Sequence, residues 1–312
     1  MTVYMIIVNP ISGRGNGGRM FPVVKQCLHE LELDFEICHT ESPGHAIKLA
    51  EQACADGFDI VASVGGDGTA NEVLNGLMLA AQRGIKPSAL GFISVGRGND
   101  FAFGAGIPHD PGTACRILAE GHRKWIDVGF VQGGDYPDGR YFGNGIGIGF
   151  DAVVGFEALK LRYLQGFPSY IVAALKTISL YFNAPELRIE FDGTTLTQPS
   201  LMVSVMNGRR MGGGFMMAPE GLLNDGLFDL CIAGQVSRAT IFGLIPRFMK
   251  GTQAGHPAIR IARSAQVSIT ALQGSLPAHA DGETLCTAGK RLEARILPSA
   301  IEVIIPGDSE TR

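Results

Sequence analysis

Charge is scarce in this 312-residue chain, where Asp, Glu, Lys and Arg together make up 18% of the sequence. What charge there is leans acidic: 26 Lys and Arg face 30 Asp and Glu, a formal net charge of −4. A protein that grips a nucleic-acid backbone carries an electropositive excess, so nucleic acid is excluded as an expected partner. Long apolar runs are also missing. No stretch reaches the ~18 uninterrupted apolar residues of a membrane-spanning helix, and the longest candidate, around 170–182, is broken by Lys176. The six cysteines (Cys27, Cys38, Cys54, Cys115, Cys231 and Cys286) form no CxxC pair and have no His at zinc-ligand spacing, so they are read as buried thiols of a reducing cytosol. The seven histidines form no HxxH or HExxH cluster, and no Ser-His-Asp spacing supports a hydrolase. Residues 1–8 lack the basic start, apolar run and cleavage site of a signal peptide. The expectation is a folded chain that is at most peripheral to a membrane.

Glycine is what the chain has in plenty. Its 43 glycines are about twice the ~7% average usage, and no Gly-X-Y period accounts for them. Such residues serve tight turns and places where the backbone must come close to a ligand. Hydrophobic residues at 46% exclude disorder. At ~150 residues per domain, the length predicts about two domains.

From residue 3 to about 126, apolar runs at 3–8, 35–38, 60–64 and 90–94 alternate with helix-like stretches at 21–33, 44–55, 70–81 and 111–119. This order predicts a mostly parallel sheet with helices on both faces, and ligands bind such sheets at loops beyond the carboxyl ends of the strands. Every Gly-rich segment of this half follows a predicted strand. After Asp127 the pattern changes to β-runs at 127–132, 187–191, 201–206, 228–233, 266–271 and 295–305, punctuated by Gly, Pro, Asp and Asn. Two helical stretches, 156–182 and 237–250, interrupt them and mix large apolar residues with a few cations. They read either as core-facing helices with snorkelling cations or as a face that meets a bilayer.

Two loops point to chemistry. The first runs Asn9-Pro10-Ile11-Ser12-Gly13-Arg14-Gly15-Asn16-Gly17-Gly18. It formally satisfies the GxGxxG dinucleotide fingerprint, but its Asn-Pro start is foreign to that motif and no convincing ribose-binding acid closes the second strand. A phosphate-handling loop is favoured over that reading and over an empty glycine turn. The second loop follows the buried strand at 60–64 and reads Gly65-Gly66-Asp67-Gly68-Thr69, leading into a helix. Backbone N–H groups bared at a helix N-terminus bind anions, yet a lone carboxylate among them repels phosphate unless a divalent cation stands between. Asp67 therefore suggests Mg²⁺ and a nucleotide. No GxxxxGK[ST], HRD or DFG is present, so neither the P-loop nor the protein-kinase solution is in use.

GGDGT is the shared mark of the superfamily that joins diacylglycerol-type lipid kinases with NAD kinases and 6-phosphofructokinases. More narrowly, the chain resembles the bacterial soluble diacylglycerol kinase family. The likeness rests on Asn9-Pro10 with Ser12-Gly13, Thr40, Gly96 with Asn99-Asp100-Phe101-Ala102, and Asp127-Val128-Gly129. It continues through Tyr141-Phe142, Gly147-Ile148-Gly149-Phe150-Asp151, Gly212-Gly213, Ala218-Pro219, Asp225-Gly226-Leu227 with Asp229, and Asp281-Gly282-Glu283.

The resemblance implies an ATP site lined by Asn9, Thr40, Gly65, Gly66, Asp67, Gly68 and Thr69, in a cleft between two domains. It implies that Glu283 is the base that takes the proton from the substrate hydroxyl, with Asp281 close by and able to help hold Mg²⁺. A primary alcohol is a poor nucleophile, which is why a carboxylate within reach suits it. The bland reading of Asp281-Gly282 is a hairpin turn. Asp225, Leu227 and Asp229 resemble the family's structural metal loop. Asn224 stands where some relatives carry a second Asp, a weaker ligand for a hard cation, and Asn-Asp-Gly is also good turn chemistry. A larger departure is Gly96-Arg97-Gly98-Asn99, since Arg97 replaces the family's usual threonine. Its guanidinium either pairs with ATP oxygens or points to solvent.

The reading is thus a phosphofructokinase-like α/β nucleotide-binding domain over 1–127, whose parallel sheet is rejoined by a strand near 296–305, and a β-rich, sandwich-like substrate domain over 128–295. The expected activity is transfer of the γ-phosphate of ATP to a lipid hydroxyl, most simply diacylglycerol to phosphatidic acid, with Arg97 and Asn99 added to the nucleotide site. The rivals are an NAD kinase and a regulator that binds nucleotide or lipid without catalysis. The expected location is the cytoplasm, with transient contact at the inner face of the membrane through Lys160, Arg162, Lys176, Arg247 and Lys250. A homodimer is left open.

Overall fold

The computed structural model describes residues 2–161, 167–180 and 183–307. The chain divides into two compact units, Met1–Asp127 with Ser299–Arg312, and Val128–Pro298.

Unit 1 is built on parallel strands β1 (Val3–Val8), β2 (Asp34–His39), β3 (Ile60–Gly65) and β4 (Ala89–Ser94). Their order is β4-β3-β1-β2, and the end of a late strand, β15 (Arg291–Ile304), runs parallel beside β4 through Val303 and Leu90. All residues of β3 and β4 are buried, the burial expected of parallel strands with both faces covered. Helices α1 (Ser12–Glu30), α2 (His45–Asp56), α3 (Asp67–Gln82), α4 (Asp100–Gly104) and α5 (Pro111–Glu120) connect and follow them. The expected helix at 21–33 begins nine residues earlier, but Gly13, Arg14 and Gly15 within it have positive φ, so its first turn is a left-handed kink. The α2 N-terminus has no cap of its own: Glu72 of α3 accepts from the N–H groups of Gly44 (2.8 Å) and Ala46 (3.1 Å).

Unit 2 contains the rest of β5 (Arg123–Gly133), β6 (Tyr136–Phe142), β7 (Gly145–Gly149), helices α6 (Phe150–Lys160) and α7 (Phe167–Leu180), β8 (Glu186–Phe191), β9 (Thr194–Met206), β10 (Phe228–Gly234), α8 (Arg238–Lys250), β11 (Ile259–Ser264), β12 (Gln266–Gln273), β13 (Leu276–Ala280), β14 (Glu283–Gly289) and most of β15. Its strands pair antiparallel. The strand period of two sorts β9 between two cores. Val203 and Val205 join β8, β12 and β15 in the sandwich interior, while Met202 and Met206 face the other way among Phe215, Leu244 and Phe248. The expected helical stretch at 156–182 is two helices, and the 237–250 stretch is one helix with Ser237 as its N-cap, accepting from Thr240 N at 3.1 Å. Phe182 and Arg162 lie outside the described residues.

Candidate active site

In unit 1 the loops after β1, β3 and β4 lie together beyond the carboxyl ends of the strands. Asn9 N donates to Val64 O (3.0 Å), and its side-chain amide donates to Thr69 Oγ1 (3.0 Å), tying the Asn-Pro loop to the GGDGT loop. Val95 N and Gly96 N both donate to Gly65 O (2.9 and 3.2 Å), tying in the third loop. A Cβ on Gly96 would fall within 3.0 Å of Gly66 Cα, so the two backbones meet at a distance only glycine permits. Thr40 N donates to Val8 O (2.8 Å), which places Thr40 just past the end of β2. Helix α3 starts at Asp67 behind Gly66, an N-cap that carries no side chain.

The Asp67 carboxylate is fixed by the next loop: Oδ1 accepts from the N–H groups of Asp100 (2.6 Å) and Phe101 (3.1 Å). Asp67 Oδ2 and Asp100 Oδ2 both crowd Gly98, each within about 3 Å of where a Cβ would stand. Two carboxylate oxygens of buried Asp100 and half-buried Asp67 thus converge, donors of the kind that would suit a hard divalent cation. Asp100 is not among the expected site residues, although the sequence sets it in the Asn99-Asp100-Phe101-Ala102 motif. Asn99 holds its own loop, its amide oxygen accepting from Gly96 N (3.1 Å) and its amide nitrogen donating to Gly96 O (3.2 Å). Arg97 is half-buried, and among the described residues its buried Nη1 has no hydrogen-bond partner, contrary to the solvent-pointing alternative.

In unit 2, Asp281 and Glu283 flank a turn in which Asp281 has positive φ. Asp281, expected to help hold Mg²⁺, is buried and ties down backbone. Its oxygens accept from the N–H groups of Gly143 (2.7 Å), Asn144 (3.0 Å) and Gly145 (2.9 Å), so the carboxylate locks the β6–β7 connection to this turn. Glu283, half-buried at the start of β14, pairs across the ladder with Ala280.

The expected metal loop is occupied differently. Asp225 Oδ1 accepts from Leu227 N (3.1 Å), a turn contact. Arg263, directly opposite Asp229 on β11, forms ion pairs with both Asp225 and Asp229. The Asp225, Leu227 and Asp229 arrangement does not fit a cation here, because a guanidinium already bridges the two carboxylates and Asn224 adds no charge. Among the described residues no group of three or more His, Cys, Asp or Glu is gathered for a metal. Burial pushes the Asp229 carboxyl above its usual range, against the pull of Arg263. Two of the cations expected at a membrane are also spoken for. Lys160 (2.5 Å) and Lys176 (2.6 Å) both bind buried Glu157, and these hydrogen bonds hold its carboxyl below the usual range. All six cysteines are free; four are buried, and Cys27 and Cys38 are half-buried rather than buried as expected. Burial pushes the Cys115 and Cys231 thiols up to about 12.

The diacylglycerol kinase catalytic domain matches residues 3–131, and the YegS C-terminal NAD kinase beta sandwich-like domain matches residues 144–305. A diacylglycerol kinase of Staphylococcus aureus strain bovine RF122 / ET3-1 is 30% identical over 306 residues, covering 97% of this chain and 92% of the relative. A crystal structure of a diacylglycerol kinase from Bacillus anthracis shares the fold at TM-score 0.74 and 22% identity, over 98% of this chain and 97% of the other. The yeast NADH kinase, solved with NADH, is more distant, at TM-score 0.50 and 11% identity over 98% and 84% of the two chains. Kinase chemistry and the parallel-then-antiparallel architecture are therefore common ground, and the chain belongs to the diacylglycerol kinase family.

Proposed function

We propose that the chain transfers the γ-phosphoryl group of ATP to the hydroxyl of diacylglycerol. The observation that carries this reading is the three-loop cluster of unit 1. The α3 N-terminus behind its glycine N-cap, the glycine-bared backbone of Gly65–Gly68, and the converging Asp67 and Asp100 carboxylates suit a phosphate chain with a divalent cation. Asp67 and Asp100 would hold Mg²⁺ there, which would supply positive charge to offset that of the phosphates. Asn9 and Thr69 hold the loops in register, and the Arg97 guanidinium serves the phosphate oxygens. Glu283 accepts the acceptor's proton at its carboxylate, while Asp281 keeps the turn that carries it in place.

The acceptor resides in a bilayer, and no helix among the described residues is long and apolar enough to cross one. Helix α8 suits reversible contact: Phe242 and Met249 are exposed beside exposed Arg238, Arg247 and Lys250, with no acidic residue in the helix. Helix α7 adds exposed Val172 and Leu175. An apolar and cationic face in a chain of net charge −4 is complementary to an anionic lipid surface at the inner leaflet. The deciding assay is radiolabelled phosphate transfer from ATP to diacylglycerol in vesicles, beside soluble NAD. Labelled phosphatidic acid is the expected product; label in NAD alone overturns the reading in favour of the NAD kinase branch.

A further inference from the structure

Beneath α6, the face of the unit 2 sheet that points away from the sandwich core carries a row of polar side chains. Strand pairing aligns His279 of β13 with Gly147 of β7, Gly147 with Ser204 of β9, and Ser204 with Cys231 of β10. Directly paired residues share a face, and Met202 and Met206, two positions either side of Ser204, mark it as the helix-facing one. Asp151, in the first turn of α6, lies over the row: a Cβ on Gly147 would come within 3.0 Å of both Asp151 Oδ2 and His279 Nε2. The Asp151 charge also reaches Cys231 and helps raise its thiol.

The row has an open end and a closed one. Asp151, Gly155 and His279 are half-buried and Thr284 is exposed, whereas Ser204 is fully buried. Among the described residues the Ser204 hydroxyl has no hydrogen-bond partner, an unusual cost for a polar group in the interior. The open end adjoins the catalytic turn: His279 pairs with Thr284, the residue after Glu283, one ladder step of ~3.3 Å along β14. An acid, an imidazole and a hydroxyl around a bare glycine backbone offer both donors and acceptors to a neutral, oxygen-rich group.

We propose that Asp151, His279 and Ser204 form the subsite for the part of the acceptor next to its reacting hydroxyl, the ester-bearing carbon skeleton of a glycerolipid. His279 donates to an acceptor oxygen, Asp151 orients the imidazole, and Gly147, without a Cβ, leaves the room that these two side chains occupy. The glycine is required because any side chain there displaces both polar groups. These are specificity residues, distinct from the base, and the proposal rests on the lipid-kinase reading above.

The test compares two acceptors in mixed micelles, 1,2-dioctanoylglycerol and 1-octanol, which keeps a primary hydroxyl but has no neighbouring ester. Wild type should prefer the diacylglycerol in kcat/KM. In His279→Ala that preference should fall by about 10-fold or more, since a site built to hydrogen-bond a substrate oxygen loses its discrimination when the donor goes. Nucleotide affinity, followed with a fluorescent ATP analogue, should stay as in wild type. Gly147→Ala should raise the KM for dioctanoylglycerol and leave octanol unaffected, whereas Gly155→Ala, whose Cβ meets the His279 ring only at ordinary contact distance (3.8 Å), should behave as wild type. Equal losses on both acceptors in His279→Ala, or an unchanged preference in both His279→Ala and Gly147→Ala, overturn the subsite alone. A wild-type enzyme that phosphorylates neither acceptor overturns the lipid-kinase reading and the subsite with it.

Discussion

Arg263 stands where the family resemblance implies a cation, and replacing it tests whether a side chain has taken over that duty. In Arg263→Ala, Asp225 and Asp229 are left facing each other with their bridge gone. Each charge-assisted contact has an upper value of ~1.5–3 kcal/mol, but the Arg263 side chain is 45% exposed, so solvent screens much of the attraction. A net loss of about 1–2 kcal/mol remains, which for a unit of this size lowers Tm by roughly 2–8 °C. The sign with pH follows from Asp229, whose folded pKa is already raised by burial. A carboxyl raised on folding favours the fold below its unfolded pKa and loses that contribution as pH rises through the folded value. Removing Arg263 raises it further, so the variant's deficit is small near pH 4 and complete at neutral pH. Millimolar Mg²⁺ or Ca²⁺ should restore the variant's Tm and leave wild type unchanged, while EDTA should not touch wild type. Thermal melts across pH and metal decide the matter. A variant as stable as wild type at pH 7, or a wild type that loses stability to EDTA, refutes the substitution of guanidinium for metal.

Glu283→Gln keeps the shape and removes the base; turnover should fall by about 10² or more with nucleotide binding intact, and near-normal turnover reassigns the base. Asp67→Asn should abolish both activity and the Mg²⁺ dependence of nucleotide binding; unchanged Mg·ATP affinity in calorimetry would falsify its role. Arg97→Thr should raise the KM for ATP or lower kcat by about 10-fold, as loss of one phosphate contact predicts, and unaltered kinetics return Arg97 to a structural part. Arg247→Glu combined with Lys250→Glu should weaken sedimentation with anionic vesicles and flatten its salt dependence, while neutral vesicles show no difference.

The parallel half was legible because β1, β3 and β4 are short, mostly apolar runs, and the antiparallel half because β8, β12 and β15 alternate buried and open residues. Helix α4 escaped notice since five residues carry no periodicity. Strand β7, Gly-Ile-Gly-Ile-Gly, was visible only as a motif, for three glycines have low strand propensity and are held there by their neighbours. Asp281 shows the other limit. Its spacing from Glu283 suggests a partner in chemistry, but which groups its oxygens face is set by the β6–β7 connection more than 130 residues earlier. Arg263 likewise meets Asp229 only through the register of β10 and β11.

The strand that closes unit 1 comes from the far end of the chain. Val303 of β15 lies beside Leu90 of β4, with all of unit 2 encoded between them. A ribosome delivers the three nucleotide loops within the first hundred residues, yet the β4 edge beside them stays uncovered until Val303 emerges. During that interval the nascent chain presents an apolar parallel edge, the kind that recruits stray strands. Completion of the nucleotide unit is thereby coupled to synthesis of unit 2, so a chain released before Val303 lacks the strand that covers that edge even though every loop residue is present.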